Sequence, residues 1–251
     1  MRYAAFEADS ADFKGGPMAE VTVTTTKGEM PMFVARPTGG GPWPGVVVIH
    51  DAIGMSRDVR NQAEWLAGEG FIAVAPDLYY WGTRRRCFFT FMRDETKPMG
   101  DIDAARQWLL EQSECTSKVG IIGYCMGGGF ALAMAPNHGF DASSVNYGRL
   151  SKATQGALGD ACPIVASYGA KDFFTKNIPG RLETALTAAG VEHDIKVYPD
   201  VAHGFLNDHD PAEVGWAFTL MSKLSRSYYD ESAATDARLR IAGFFNTHLR
   251  N

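Results

Sequence analysis

From residue 46 onward, short runs of apolar β-branched and small residues alternate with segments of helical periodicity. Residues 46–49 form an unbroken Val-Val-Val-Ile run, which is typical of a strand covered on both faces. Residues 71–75 and 119–122 are similar runs, and apolar residues recur at helical spacing in 57–67 and 101–111. This alternation predicts an α/β fold with a mainly parallel sheet and helices on both faces, a three-layer sandwich.

The remaining segments extend the same pattern toward both ends. Upstream, two short strands are predicted at 21–25 and 32–35, with a turn at Lys27 and Gly28 and a later loop over 39–44. Downstream, the predicted helices are 125–135, 179–189 and 233–248, and the predicted strands are 142–145, 164–168 and 194–198. Since no repeat or linker divides the chain, we expect an N-terminal arm over 1–19 and a single domain over 20–251.

The net charge and the cysteine content limit which binding partners and which cellular compartment we expect for this chain. The net charge of −5 argues against a nucleic acid or an anionic membrane, because both require a basic surface. The first residues carry acids where a secretory peptide has an apolar core, and no apolar run approaches the length of a membrane span. Because the four cysteines lack CxxC spacing, we expect a cytoplasmic protein without disulfides or a metal site. A monomer or small homo-oligomer is expected.

The segment Gly123-Tyr124-Cys125-Met126-Gly127 lies between a predicted strand and a predicted helix. Ligands of such sheets bind at the carboxyl ends of strands, and a nucleophile on a tight strand-to-helix turn needs small neighbours. The start of a helix also favours a thiolate and an oxyanion. Cys125 is therefore the candidate nucleophile; a buried structural cysteine or a phosphate-binding loop is the alternative.

Two further strand ends carry the partners that a nucleophile needs. Asp172 follows the predicted strand 164–168, and His203 follows the predicted strand 194–198. Each residue alone is better explained by an ordinary loop position, but the order nucleophile, acid, histidine is that of the α/β-hydrolases. We therefore predict a catalytic triad of Cys125, Asp172 and His203.

The loop after the strand 46–49 is a fourth candidate segment of the active site. In α/β-hydrolases the backbone N–H of the residue after the nucleophile and an N–H from this loop bind the oxyanion. The predicted donors are therefore Met126 and Ala52.

These motifs together resemble the dienelactone hydrolase family. The matching segments are 47–54, 74–79, 123–128, 168–172, 202–205 and 241–249, and the similarity covers roughly residues 20 to 250. A cysteine in place of the usual serine nucleophile is the most discriminating mark. The resemblance implies hydrolysis of a carboxylic ester or lactone through a thioester, with no cofactor.

The resemblance also assigns a role to Asp51. In the family a glutamate three residues before the loop glycine helps to ionise the thiol, and here Asp51 stands three residues before Gly54. Asp51 is thus a candidate thiol-activating carboxylate. The alternative is that this shorter side chain braces the loop.

The substrate-binding positions depart from the family pattern. Family arginines that hold a substrate carboxylate follow the Asp-Leu-Tyr motif and the catalytic histidine, but here these places hold Tyr80-Trp81-Gly82 and Leu206-Asn207-Asp208. Arg84 and Arg85 lie nearby, on a segment that resembles a lid, although a basic loop is more often solvated surface. The candidate substrate contacts are Tyr80, Trp81, Arg84, Arg85 and Phe205.

Two other functions remain open for such a chain. One is a general short-chain carboxylesterase or thioesterase unrelated to dienelactone. The other is a catalytically silent member that binds small molecules and carries Cys125 as a redox-sensitive thiol. A complete set of Cys125, Asp172 and His203 argues against the silent member.

Overall fold

The computed structural model describes residues 16–214 and 228–250, so most of the predicted arm 1–19 lies outside the described residues. The strands are β1 (Met18–Thr25), β2 (Gly28–Ala35), β3 (Trp43–Ile49), β4 (Ile72–Pro76), β5 (Cys115–Tyr124), β6 (Ala142–Asn146), β7 (Ile164–Gly169) and β8 (His193–Tyr198). The helices with defined bounds are α1 (Arg57–Gly68), α2 (Arg84–Arg93), α3 (Met99–Leu110), α4 (Met126–Met134), α5 (Lys152–Ala157), α6 (Ile178–Ala189) and α7 (Glu231–Leu249).

All the named strands join one eight-stranded sheet in the order β1-β2-β4-β3-β5-β6-β7-β8. The pairs β1–β2 and β2–β4 are antiparallel, and every other neighbouring pair is parallel. The predicted mainly parallel sheet is therefore confirmed.

Alternate side chains of β3 enter two different cores. Val46 and Val48 pack into a core shared with α1 and α7, whereas Val47 and Ile49 pack into one shared with α3 and α4. A strand covered on both faces has no polar side to present, which explains its unbroken β-branched run.

The strand order reverses at β3. The chain goes from β3 to β4 on one side and then returns to β5 on the other side of β3. A crevice opens where successive connections leave in opposite directions, and ligands of open α/β sheets bind there. The loop after β3 and the turn after β5 therefore flank the expected binding site.

Several elements differ from the prediction, and helix α5 is one that was not predicted. β3 begins at Trp43, inside the predicted loop, and β5 begins at Cys115, because Trp43 pairs with Cys115 across the sheet. The Pro and Gly at the start of β3 and the polar residues at the start of β5 interrupt the apolar runs by which the strands were predicted. The segment resembling a lid contains helix α2, capped by Thr83, whose side chain accepts a hydrogen bond from the Arg86 N–H at 3.3 Å.

None of the helices in the part of the chain that the structure describes combines the length and the apolar character that crossing a lipid bilayer requires.

β5 and α4 approach so closely that their junction excludes side chains. A Cβ atom on Gly123 would lie 2.0 Å from the carbonyl oxygen of Gly127, and one on Gly127 would lie 2.5 Å from that of Ile49. Both clashes involve backbone, which cannot turn aside as a side chain does. Glycine is required here by contact rather than by flexibility.

Gly123→Ala should destabilise the fold by about 3 kcal/mol or more, because the backbone of α4 must move away from β5. The matched control is Gly243→Ala in α7, where an added Cβ meets nothing within 4 Å and should stabilise by about 0.4–1 kcal/mol. Urea unfolding of both variants measures the difference. Equal stabilities would contradict the close contact.

Candidate active site

Cys125 occupies a strained turn between the last residue of β5 and the first of α4. Its backbone has φ 55° and ψ −111°, a conformation that costs a non-glycine residue about 1–3 kcal/mol. The Cys125 N–H donates to the Asn146 carbonyl at 3.0 Å, which ties the turn to the end of β6. This geometry presents a side chain at the top of the sheet, as in a nucleophile elbow.

His203 and Asp172 meet beside this turn. His203 Nδ1 donates to Asp172 Oδ2 at 2.8 Å, and the Asp172 carboxylate is buried. The same oxygen accepts from the Thr175 hydroxyl at 2.6 Å, and Oδ1 accepts from the Phe174 N–H at 2.9 Å. Asp172 is thus fully hydrogen-bonded and holds the imidazole in one orientation.

Cys125 lies close enough to His203 to raise the pKa of the imidazole. The three residues predicted from three separate strand ends therefore come together in one site. With Nδ1 bound to Asp172, it is Nε2 that faces the thiol.

The charges in this cluster reinforce one another. Burial by itself lowers the pKa of His203, but the adjacent Cys125 and Asp172 outweigh it and raise the pKa to about 10. Burial by itself raises the pKa of Asp172, but the bonds from His203, Thr175 and Phe174 hold it below its usual value. An imidazolium between two acidic groups is the favoured state.

His50 anchors the start of the loop after β3. Its Nδ1 donates to the Asp51 carbonyl at 2.7 Å, and its Nε2 accepts from the Leu78 N–H at 3.2 Å. Complete burial lowers its pKa, so the ring is neutral and fastens this loop to the segment after β4.

Asp51 is held within the loop and by a second histidine. Its Oδ1 accepts from the Ile53 N–H at 2.8 Å, and its Oδ2 lies 2.7 Å from His209 Nε2. Burial by itself lowers the pKa of His209, but Asp51 outweighs this effect and raises it. Both carboxylate oxygens are engaged in contacts that brace the loop.

Tyr79 joins the two residues predicted to form the oxyanion hole. Its hydroxyl donates to the Ala52 carbonyl at 3.2 Å and lies 3.8 Å from Met126 Sδ. Burial raises the pKa of Tyr79, so the phenol stays neutral and keeps its proton. Met126 is the first residue of α4, where backbone N–H groups have no intrahelical partner.

Arg84 and Arg85, two of the five candidate substrate contacts, lie on α2 and make different contacts. Arg84 reaches the site, because its Nη1 donates to the Ile53 carbonyl at 3.3 Å. Arg85 instead lies 5.9 Å over the ring of Phe89 on the exposed side of the helix.

The three aromatic candidates, Tyr80, Trp81 and Phe205, pack against or hydrogen-bond to other side chains of the protein. Trp81 is partly buried and packs edge-on against Phe91 at 6.0 Å. The Tyr80 hydroxyl donates to Asp101 at 3.2 Å, at the start of α3. Phe205 is fully buried, 5.6 Å from the ring of Tyr147 and therefore a core position.

Three residues that were not predicted lie against the triad or its loop. His209 pairs with Asp51 as described, although its sequence setting gave no catalytic signal. Tyr147 lies 5.0 Å from the His203 ring, with φ 44° at the end of β6. Phe174 lies 5.6 Å from the same ring. The motif around Asp172 is the only sequence signal that could have drawn attention to Phe174.

The remaining cysteines differ from Cys125 in their surroundings. Burial raises the pKa of Cys115 to about 11 and that of Cys162 to about 12, and it also raises the pKa of Cys87. All four cysteines are free thiols. Within residues 16–214 and 228–250, no group of three His, Cys, Asp or Glu side chains is arranged to hold a metal ion.

The chain is similar to known proteins in both sequence and structure. Residues 30–249 match the model of the dienelactone hydrolase family. A Yersinia pestis protein named "Putative carboxymethylenebutenolidase" is 28% identical over 253 residues, covering 91% of this chain and 88% of the relative. An Escherichia coli K12 protein of the same name is 29% identical over 217 residues, covering 74% of this chain and 79% of the relative.

Solved structures give the same result. The crystal structure named "Putative Dienelactone Hydrolase" from Klebsiella pneumoniae superimposes with a TM-score of 0.75 at 25% identity, covering 91% of this chain and 98% of the other. Because the family model spans most of the chain, this protein belongs to the dienelactone hydrolase family and is a hydrolase with the α/β-hydrolase fold.

Proposed function

We propose that the protein hydrolyses a small carboxylic ester or lactone through a thioester on Cys125. The proposal is carried by the hydrogen bond between Asp172 and His203 and by the proximity of His203 to Cys125, which lies on a strained turn. Nucleophile, base and orienting acid in this relation are the parts that acyl transfer requires. The relatives named as carboxymethylenebutenolidases support an ester or lactone as the substrate.

The first half of the reaction forms the acyl-enzyme. The Cys125 thiolate attacks the carbonyl carbon, and the carbonyl electrons move onto oxygen, where the N–H groups of Met126 and Ala52 bind the oxyanion. The intermediate then collapses and breaks the bond to the leaving oxygen. His203 Nε2–H gives its proton to that oxygen, and the neutral imidazole remains.

The second half regenerates the enzyme. Once the thiolate is consumed, the main group that raises the pKa of His203 is gone, so the ring becomes a competent base. It takes a proton from water as the oxygen attacks the thioester. Collapse of this intermediate releases the carboxylic acid and returns the thiolate beside the imidazolium.

Asp51 acts in this proposal as the brace of the oxyanion loop. Its contacts to the Ile53 N–H and to His209 fix the backbone on either side of Ala52. A carboxylate paired in this way is poorly placed to take a proton from the thiol. His203 lies beside Cys125 and is the better placed group to take this proton.

Cys125→Ala should lower kcat for a short activated ester by about 10³-fold or more, because the nucleophile is lost. His203→Ala should have an effect of similar size. Circular dichroism and thermal unfolding are expected to match the wild type for Cys125→Ala. Undiminished turnover by this variant would refute the assignment of the nucleophile.

Iodoacetamide near neutral pH should alkylate Cys125 far faster than the other cysteines. The pKa values of about 11 for Cys115 and about 12 for Cys162 keep these thiols protonated, and thiols react as thiolates. Peptide mass spectrometry over a time course measures the order. In His203→Ala the alkylation of Cys125 should slow, and equal labelling of all cysteines would contradict the proposal.

Replacing the thiol should lower the pKa of His203. Cys125 is the first of the groups that raise this pKa to about 10, and a serine hydroxyl in Cys125→Ser carries no charge. The wild-type ring should therefore stay protonated as the pH rises through neutrality, whereas the variant ring deprotonates at lower pH. Imidazole ¹⁵N resonances followed by NMR give both values; an unchanged pKa would refute the thiolate–imidazolium pair.

A further inference from the structure

Two adjacent phenylalanines, Phe173 and Phe174, lie exposed beside the catalytic residues. Their side chains are 64% and 53% exposed, and their ring centroids are 4.0 Å apart. Most large apolar side chains of the described residues are buried. Exposed aromatic rings held together in this way indicate a contact surface.

The position of Phe174 is fixed by the catalytic acid. Its backbone N–H donates to Asp172 Oδ1 at 2.9 Å, and Asp172 Oδ2 binds His203. The Phe174 ring lies 5.6 Å from the His203 ring, with 72° between their planes. Phe174 and the imidazole are therefore positioned by the two oxygens of one buried carboxylate.

The chemistry of ester cleavage determines which part of a substrate meets this ring. His203 must deliver its proton to the leaving oxygen, so that oxygen lies within hydrogen-bond reach of Nε2. The group attached to it must extend past the imidazole. The acyl group, by contrast, is bonded to the carbonyl carbon next to Cys125 and the oxyanion donors.

We propose that Phe173 and Phe174 bind the alcohol portion of the substrate and select alcohols that carry an aromatic or otherwise flat apolar group. The inference rests on the proposed function, since it assumes a leaving oxygen at His203. Phe174 makes the contact next to the imidazole, and Phe173 extends the apolar surface outward. Both act in specificity and take no part in proton transfer.

A protein partner would be a different occupant of the same surface. A stable protein interface buries about 800 Å² per partner, whereas two aromatic side chains supply at most a few hundred. The direct attachment of Phe174 to the catalytic acid favours a substrate group over a partner. The experiment below distinguishes a substrate group from a protein partner.

The test is a competition between ethyl acetate and benzyl acetate. Both are acetate esters of unactivated alcohols, so they share one acyl group and differ only in the alcohol. The ratio of their kcat/KM values therefore reports contacts of the alcohol portion. This ratio does not depend on the fraction of active enzyme, so a partly unfolded variant still gives a valid result. The wild type should prefer benzyl acetate, and Phe174→Ala should reduce the preference about threefold to tenfold.

Three controls separate this contact from general damage. Phe174→Tyr keeps an aromatic ring and should keep most of the preference. Leu239→Ala removes an apolar side chain that is 69% exposed on α7 and should leave both substrates unaffected. The ratio between ethyl phenylacetate and ethyl acetate, which varies the acyl group, should be the same in Phe174→Ala as in the wild type.

The outcomes are distinct. An unchanged benzyl-to-ethyl ratio in Phe174→Ala would overturn the inference, as would an equal loss of the phenylacetyl preference. If Phe174→Ala dissociates an oligomer and leaves the selectivity unchanged, Phe173 and Phe174 form a protein interface. That result would also overturn the inference. Hydrolysis that persists in Cys125→Ala would instead refute the proposed function.

Discussion

The contact between the backbones of β5 and α4 is the constraint on which the rest of the site depends. Because Gly123 and Gly127 bring the two elements within van der Waals range, the one residue between strand and helix must take a positive φ. That conformation points the side chain of Cys125 out of the sheet and places it at a helix start. The core supplies the energy that holds this strained turn.

Most of the fold and the triad could be predicted because they depend on local patterns. The apolar runs of β3 and β4 indicate buried strands, and Cys125, Asp172 and His203 each follow a strand in a recognisable order. His209 could not be predicted, because its significance comes from Asp51, which is remote in sequence. Helix α2 was not predicted either, since its buried side consists of only Cys87 and Phe91.

The loop that carries His203 is supported from behind by a buried polar network. Asp58 on α1 accepts from the Asn207 amide at 2.6 Å and from the Asp208 N–H at 2.9 Å. Asn207 in turn accepts from the hydroxyl of Tyr147, whose ring contacts His203. Burial raises the pKa of Asp58, so its bonds to Asn207 and Asp208 offset a desolvation cost. The position of the imidazole thus depends on α1 as well as on Asp172.

The shared use of Asp172 by His203 and Phe174 bears on how such an enzyme can diverge. A change in the loop that carries Phe174 also shifts the Asp172 carboxylate, so under the proposed mechanism a change of selectivity here is coupled to the orientation of His203. Helix α2 approaches the site differently, through the hydrogen bond from Arg84 to the carbonyl of Ile53. A substitution on α2 therefore acts first on the loop after β3, whereas one in the loop after β7 acts directly on the Asp172 carboxylate.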